Sequence, residues 1–268
     1  MTRLNGVNVV HFAERDSPDI VNMFIEPIEF HLPEVTSTND YAKELLGTYP
    51  YVFVSAQHQT KGRGRNGKDW IGDHFANAYC SIGIAHTQNE SIEELSAYMA
   101  RGALAVVDTL RGIHPDIRIR LKYPNDVQAF ENGSWSKLAG ILVEHEFRGM
   151  HCSSTIVGIG INVDQALFPE TITQRCTSLR LLGLHSDVDR VIAILKQSFT
   201  SWRHRDWKLV HDLWVTELDI HTKLIRLTDA DGIWTLRKVL PDGRLILRND
   251  VSRLERTISD GDTLRYED

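Results

Sequence analysis

Leu95, Met99, Ala103, Val106, Val107 and Leu110 recur on a 3.6-residue period, which predicts a helix over residues 90–110. A shorter amphipathic run carries Ala42, Leu45 and Leu46. Ser37, Thr38 or Asn39 can cap it, and Gly47 ends it. Residues 51–54 and 78–84 are rich in β-formers and predict strands. Residues 117–122 alternate and stop at the turn Tyr123-Pro124-Asn125-Asp126. Residues 137–147 and 154–161 read as antiparallel neighbours joined near Arg148-Gly149. Residues 179–182 and 188–202 look helical. The second of these continues or restarts through 205–213, with Trp202, Trp207 and Trp214 as core anchors.

The two ends differ from this middle. Residues 1–33 are weakly patterned, with a candidate strand at 7–12, a turn or helix start at 16–19 and a short apolar stretch at 21–24. They read as an irregular extension packed on the main body. From Asp219 onward short β-like runs occupy 223–227, 232–239, 244–247, 252–256 and 263–266. Asp231-Gly232, Asp242-Gly243 and Asp260-Gly261 punctuate them, as in a small barrel. The expected fold is therefore α+β: a mostly antiparallel or mixed central sheet flanked by helices, with a small C-terminal barrel. The expected organisation is an extension over 1–33, a main domain over 34–218 and a barrel domain over 219–268.

Composition narrows the class. Apolar residues make up 42% of the 268, too many for a disordered chain. The formal net charge of -6 argues against a nucleic-acid-wrapping protein. No apolar run approaches the roughly 20 residues that span a bilayer, and the first residues lack the features of a secretory signal. Cys80, Cys152 and Cys176 are odd in number and widely spaced. They read as core thiols of a reducing, cytoplasmic protein. His11, His58, His74, His86 and His151 show no metal-ligand spacing, and Arg118 and Arg120 read as a solvated strand face.

Candidate chemistry concentrates in four segments. Lys61-Gly-Arg-Gly-Arg-Asn-Gly-Lys68 packs three glycines and four cations into eight residues, which suits oxyanions. Asp69 follows Lys68, so this is not a Walker loop. Lys122 to Asp126 ends a strand in a constrained turn, where Asp126 could hold magnesium. Lys137 opens the alternating segment that runs through Gly140 to Glu144, placing one positive charge at the start of a strand. Gly158 and Gly160 lie inside a β-run, where glycine implies close approach by something else. Asn162 ends that run with a paired donor and acceptor.

Ser37-Thr38-Asn39, the loop 59–70 and these three later segments, in this order, resemble the biotin protein ligase family of the biotin/lipoate ligase superfamily. The resemblance covers residues 34–268 and is weakest at the C-terminus. It implies a class II synthetase-like catalytic domain with an SH3-like C-terminal barrel. It also implies an enzyme that joins biotin to ATP as biotinyl-5'-AMP, then transfers biotin to a lysine of a biotin carboxyl carrier domain of a carboxylase. ATP and Mg²⁺ are the implied cofactors. Thr38 and Gln59, with Ser37 and Asn39 beside them, match the biotin-head positions, and Gly62, Gly64 and Gly140 the substrate-binding backbone. Arg63 and Arg65 match the closing loop and Trp70 the adenine end. Lys137 matches the lysine at the carboxylate and α-phosphate. Lys122, Asn125 and Asn162 match the nucleotide side, with Asp126 for the metal. Tyr123 stands where the family commonly has Trp, and Ala76-Asn77-Ala78 where it usually has Gly-Asn-Leu.

Because residues before Val35 lack a helix-turn-helix pattern, no DNA partner is expected, and the resemblance is to the ligase-only form. No membrane partner is expected, and a homodimer stays open. Two other readings use the same fold. A lipoate or octanoate ligase would bind an apolar chain, for which Thr38 and Gln59 are ill suited. A non-catalytic biotin-adenylate sensor would not need Lys137 or Arg63. A chain ending near Glu217 is expected to form some adenylate but to transfer biotin poorly.

Overall fold

The computed structural model describes residues 2–4, 7–9, 26–72, 75–172, 174–259 and 261–267. The weak patterns at 10–12, 16–19 and 21–24 lie outside these residues. The chain divides into two compact units, 1–89 with 142–168 and 178–196, and 90–141 with 169–177 and 197–268.

In the first unit, Thr2–Leu4 (β1) and Val7–Val9 (β2) pair antiparallel. Ile28–Leu32 (β3), Tyr51–Ala56 (β4), Asn77–Ala85 (β5) and the later His151–Asn162 (β9) lie in the order β3-β4-β5-β9. β3 runs parallel to β4, and the other two junctions are antiparallel. β4 is buried along its whole length, which is why it reads as a continuous apolar run. Helix Thr38–Leu45 (α1) packs on β4, β5 and β9. Its Ala42 joins Phe30, Leu32, Val52, Val54, Ala56 and Ile156 in one core cluster. Strand β3 departs from the irregular extension expected over 1–33. Its pairing partner lies about twenty residues downstream, beyond any local pattern.

In the second unit, helix Ile92–Ile113 (α2) starts at a capping box made by Ser91 and Glu94. Its middle is buried on every side, so the helical stripe understates its burial. Ile119–Lys122 (β6), Asp126–Glu131 (β7) and the first part of Ser134–Arg148 (β8) form an antiparallel meander. β7 was not anticipated by the pattern, because it begins inside the turn at 123–126. Strand β8 and helix Val188–Arg203 (α3) each continue across the unit boundary. Helix Trp207–Glu217 (α4) restarts after a break and is capped by Asp206. Trp202 and Trp214 are buried core anchors, but Trp207 is only half-buried. Residues 179–182 form turns rather than a helix, too short to close repeated i to i+4 bonds.

The C-terminal strands are Leu224–Leu227 (β10), Ala230–Val239 (β11), Leu245–Asn249 (β12), Glu255–Ile258 (β13) and Leu264–Glu267 (β14). They make an open antiparallel sheet in the order β13-β12-β11-β10-β14, not the expected SH3-like barrel. Closure needs the edge strands to bond to each other. Here β13 and β14 stand at opposite edges among the described residues. Turn punctuation counted the strands, but carried no information on whether the edges meet.

Candidate functional site

The residues singled out in the sequence fall into two clusters, one in each unit. The first is built on the N-terminus of α1. Ser37 takes the N-cap position by its extended backbone, without a side-chain cap bond. Thr38 and Asn39 are thereby placed in the first turn and buried against β5. The Thr38 amide and hydroxyl both donate to Gln59 Oε1, at 2.8 and 3.0 Å. Ser81 Oγ, fully buried on β5, lies 2.7 Å from Thr38 Oγ1 and 2.6 Å from Asn39 Oδ1. Its single proton serves one of these at a time. Asn39 Nδ2 donates to Glu144 Oε2 at 2.6 Å. Gln59, Thr38, Ser81, Asn39 and Glu144 therefore form one polar chain.

The loop beyond Gln59 is folded. The Trp70 amide donates to Gly62 O at 2.9 Å, the Gly64 amide to Lys68 O at 2.6 Å, and Arg65–Gly67 makes a 3-10 turn. Asn66 and Gly67 have positive φ at its tip. A Cβ on Gly62 would meet Trp70 O at 2.5 Å, so only glycine fits there. What approaches the β9 glycines is also explained: the Asn39 amide lies over Gly158 and the Trp70 indole over Gly160. Asn162 is buried at the end of β9, opposite Asn77. Asn77 bonds Gln165 Oε1 and accepts from the Val163 amide, a structural clamp.

Arg63 donates to both Asp40 oxygens at 2.6 and 2.8 Å and to Glu144 at 3.2 Å. These bonds and the facing charge hold the Asp40 carboxyl below its ordinary value of 3.8. The carboxylate that latches Arg63 is thus present at neutral pH and is lost only as pH falls through that lowered value. Asp40→Asn should loosen the arginine at all pH values, leaving Glu144 as its remaining carboxylate, and proteolysis within residues 61–68 should then be faster than in the parent chain. Equal cutting rates would remove this latch.

The second cluster surrounds the turn after β6. The Tyr123-Pro124 peptide is cis. Asn125 is fixed to β8 twice: Nδ2 donates to Ile141 O at 2.9 Å, and its carbonyl accepts from the Ile141 amide at 3.0 Å. Asp126 stands opposite the buried Gly140. Lys137 Nζ lies 2.7 Å from Asp126 Oδ1, and Gln174 Nε2 donates to Oδ2 at 2.7 Å. The β7–β8 register slips between Val127 and Gln128, beside Lys137. Such a bulge re-aims a side chain, and here it accompanies the cation. Burial pushes the Lys122 ammonium below its ordinary value against the opposing pull of Asp126. One carboxylate suits a magnesium ion that arrives on a nucleotide, since such ions take one or two carboxylates and complete their shell with phosphate and water. A resident metal site is a poorer fit, because both Asp126 oxygens are engaged and no three-residue ligand group occurs among the described residues.

Arg120 departs from the solvated face expected of it. It is buried, donates to Gln128 at 2.8 Å and Asp219 at 2.7 Å, and stacks over Trp135. Arg118 is exposed over Phe130. Cys80 and Cys152 are buried, and burial pushes the Cys80 thiol well up, which suits inert core thiols. His86 and His145 meet on Thr155, while His11 and His74 lie outside the described residues. Asp40, Ser81, Glu144 and Gln174 were not singled out from the sequence. Ser81 carried a signal, a small polar side chain in the apolar run of β5. Gln174 carried none.

An α+β scaffold with a basic glycine loop over a buried polar chain defines a class of small-molecule-binding enzyme. The profile of the biotin/lipoate A/B protein ligase family matches residues 32–162. Residues 32–162 thus carry a domain of that family. It is 29% identical over 222 residues to a biotin–[acetyl-CoA-carboxylase] ligase of Mycobacterium tuberculosis, covering 80% of this chain and 78% of that one. It is 29% identical over 166 residues to the bifunctional ligase/repressor BirA of Escherichia coli, 61% of this chain and 50% of the other. The structure resembles a biotin protein ligase from Aquifex aeolicus in complex with biotin and ATP: TM-score 0.67, 26% identity, 89% of this chain and 99% of that one. Among the described residues no helix is long and apolar enough to cross a membrane.

Proposed function

We infer that this chain is a biotin protein ligase that activates biotin with ATP and transfers it to a lysine of a carrier protein. The observation that carries the reading is the polar chain from the half-buried Gln59 through the buried Thr38 and Ser81 to Asn39. Polar groups at such depth favour a ligand head that both donates and accepts hydrogen bonds, as a cyclic urea does. Against the alkyl chain of lipoate or octanoate, those of their donors and acceptors that face the ligand would give up water without replacement, at a cost of about 1–3 kcal/mol each.

In the first step a biotin carboxylate oxygen bonds to the α-phosphorus of ATP and pyrophosphate leaves. Two anions must approach, so cations are required. Lys137 is the cation assigned to the carboxylate and α-phosphate. Arg63 and Arg65 are assigned to the loop that covers the adenylate, which must exclude water because the anhydride hydrolyses. Trp70, Asn162, Lys122 and Asn125 are assigned to the nucleotide. Mg²⁺ carried in on the triphosphate, with Asp126 as protein ligand, would supply further charge neutralisation. In the second step the neutral amine of the acceptor lysine attacks the carbonyl, AMP leaves, and the nitrogen loses its proton.

The acceptor in this reading is a biotin carboxyl carrier domain. Residues 34–218 are the catalytic part, and the free buried thiols favour a reducing, cytoplasmic setting. Mass spectrometry of an acceptor domain incubated with Mg-ATP and biotin, lipoate or octanoate tests it. Addition of biotin alone is expected. Addition of lipoate or octanoate in its place would refute the assignment.

A further inference from the structure

Two contacts tie the C-terminal sheet to the turn that presents Asn125 and Asp126. The Tyr123 amide donates to the Tyr266 hydroxyl of β14 at 3.3 Å. Gly261, in the turn before β14, lies so close that a Cβ there would meet Tyr123 O at 2.5 Å and Pro124 Cδ at 2.7 Å. The Tyr266 ring also faces two cations of β6, with the Arg120 guanidinium 5.8 Å and the Lys122 ammonium 6.0 Å from its centroid. A third contact comes from the segment that leads into the sheet: the Asp219 amide donates to Leu121 O at 3.0 Å, and Asp219 pairs with Arg120. Asn125, assigned to the nucleotide, and Asp126, assigned to the metal, thus sit on a turn held from two directions. β8 fixes Asn125, and the C-terminal segment fixes Tyr123 and the end of β6.

We propose that Tyr266 is a positioning residue for the nucleotide. Its hydroxyl sets the path of the 123–126 turn, and its ring sets the place of the Lys122 ammonium. The C-terminal sheet then serves the ATP step, not only carrier recognition. This rests on the ligase reading for the role of ATP, but the contacts do not depend on it. It also sharpens the expectation for a chain ending near Glu217, whose first step should suffer as well as its transfer.

The test is ATP affinity by titration calorimetry, with the separate KM values for ATP and biotin in ATP–pyrophosphate exchange. Tyr266→Phe keeps the ring and removes one acceptor, so ATP should bind roughly 3- to 10-fold more weakly, the span of one neutral hydrogen bond. Tyr266→Ala should weaken it further, and Gly261→Ala should act in the same direction. The KM for biotin should stay within about twofold, since a positioning effect on one substrate removes no binding from the other. An unchanged ATP affinity, a rise confined to the carrier KM, or equal rises for biotin and ATP would overturn the proposal. A parent chain that binds ATP but shows no biotin-dependent exchange would instead refute the ligase reading. Calorimetry on the variants would still decide the role of Tyr266.

Discussion

Lys137→Ala should slow biotin-dependent ATP–pyrophosphate exchange by roughly 10²–10³, the cost of removing one preorganised charge-stabilising group. Lys137 is held for this work. Its strand backbone is bonded on both sides of the residue, its amide to Arg175 O at 2.9 Å and its carbonyl to the Thr177 amide at 2.8 Å. Its side chain already rests on a carboxylate, Asp126, so it is held in place before any substrate arrives. Truncation also removes the ion-pair partner of Asp126 and leaves a half-buried carboxylate with the Gln174 amide and the charge of Lys122, which will cost stability. Lys137→Gln separates the two effects, because it keeps an amide donor for Asp126 while removing the charge. Both variants should be slow, and only the alanine should be markedly less stable. A glutamine variant within about threefold of the parent would end the case for Lys137 as the activating cation.

Thr38→Val should weaken biotin binding by roughly 10- to 100-fold, equivalent to about 1–3 kcal/mol of lost polar pairing. Valine preserves shape and removes the hydroxyl that joins Gln59 to Ser81. The Thr38 amide still donates to Gln59, so the loop should keep its path and the fold its strands. ATP affinity measured without biotin should be unaltered, since Thr38 belongs to the cluster assigned to biotin and not to the one assigned to ATP. Isothermal titration with biotin, and separately with ATP, reads both. A parent-like biotin affinity would show that the polar chain is scaffolding and does not read the head of the ligand.

How much could be read beforehand varied by element. The helix over 90–110 was legible from its apolar 3.6-residue stripe, and the strands over 51–54, 78–84, 137–147 and 154–161 from short runs rich in β-formers, even where both faces are buried. The glycines at 158 and 160 were legible as sites of close approach, but the approaching groups, Asn39 and Trp70, come from distant segments. Strand β3 was missed because parallel pairing leaves no hairpin signal. Arg120 was misjudged because alternation marks faces without saying what covers them, and Trp135, Gln128 and Asp219 cover that one.

The sequence by itself determined the α+β class, the order of most elements, the basic glycine loop and the residues on which the chemistry is assigned. These are local properties, written in periodicity, turn residues and short motifs. Only the tertiary structure decided which of those residues meet. It gave Arg63 its two carboxylates, placed Ser81 between Thr38 and Asn39, and set Gln174 beside Asp126. It also left the C-terminal sheet open and laid Tyr266 against the 123–126 turn. Each of these depends on segments brought together from far apart in the chain, where burial and hydrogen-bond satisfaction across elements choose the partner and no local pattern can encode it.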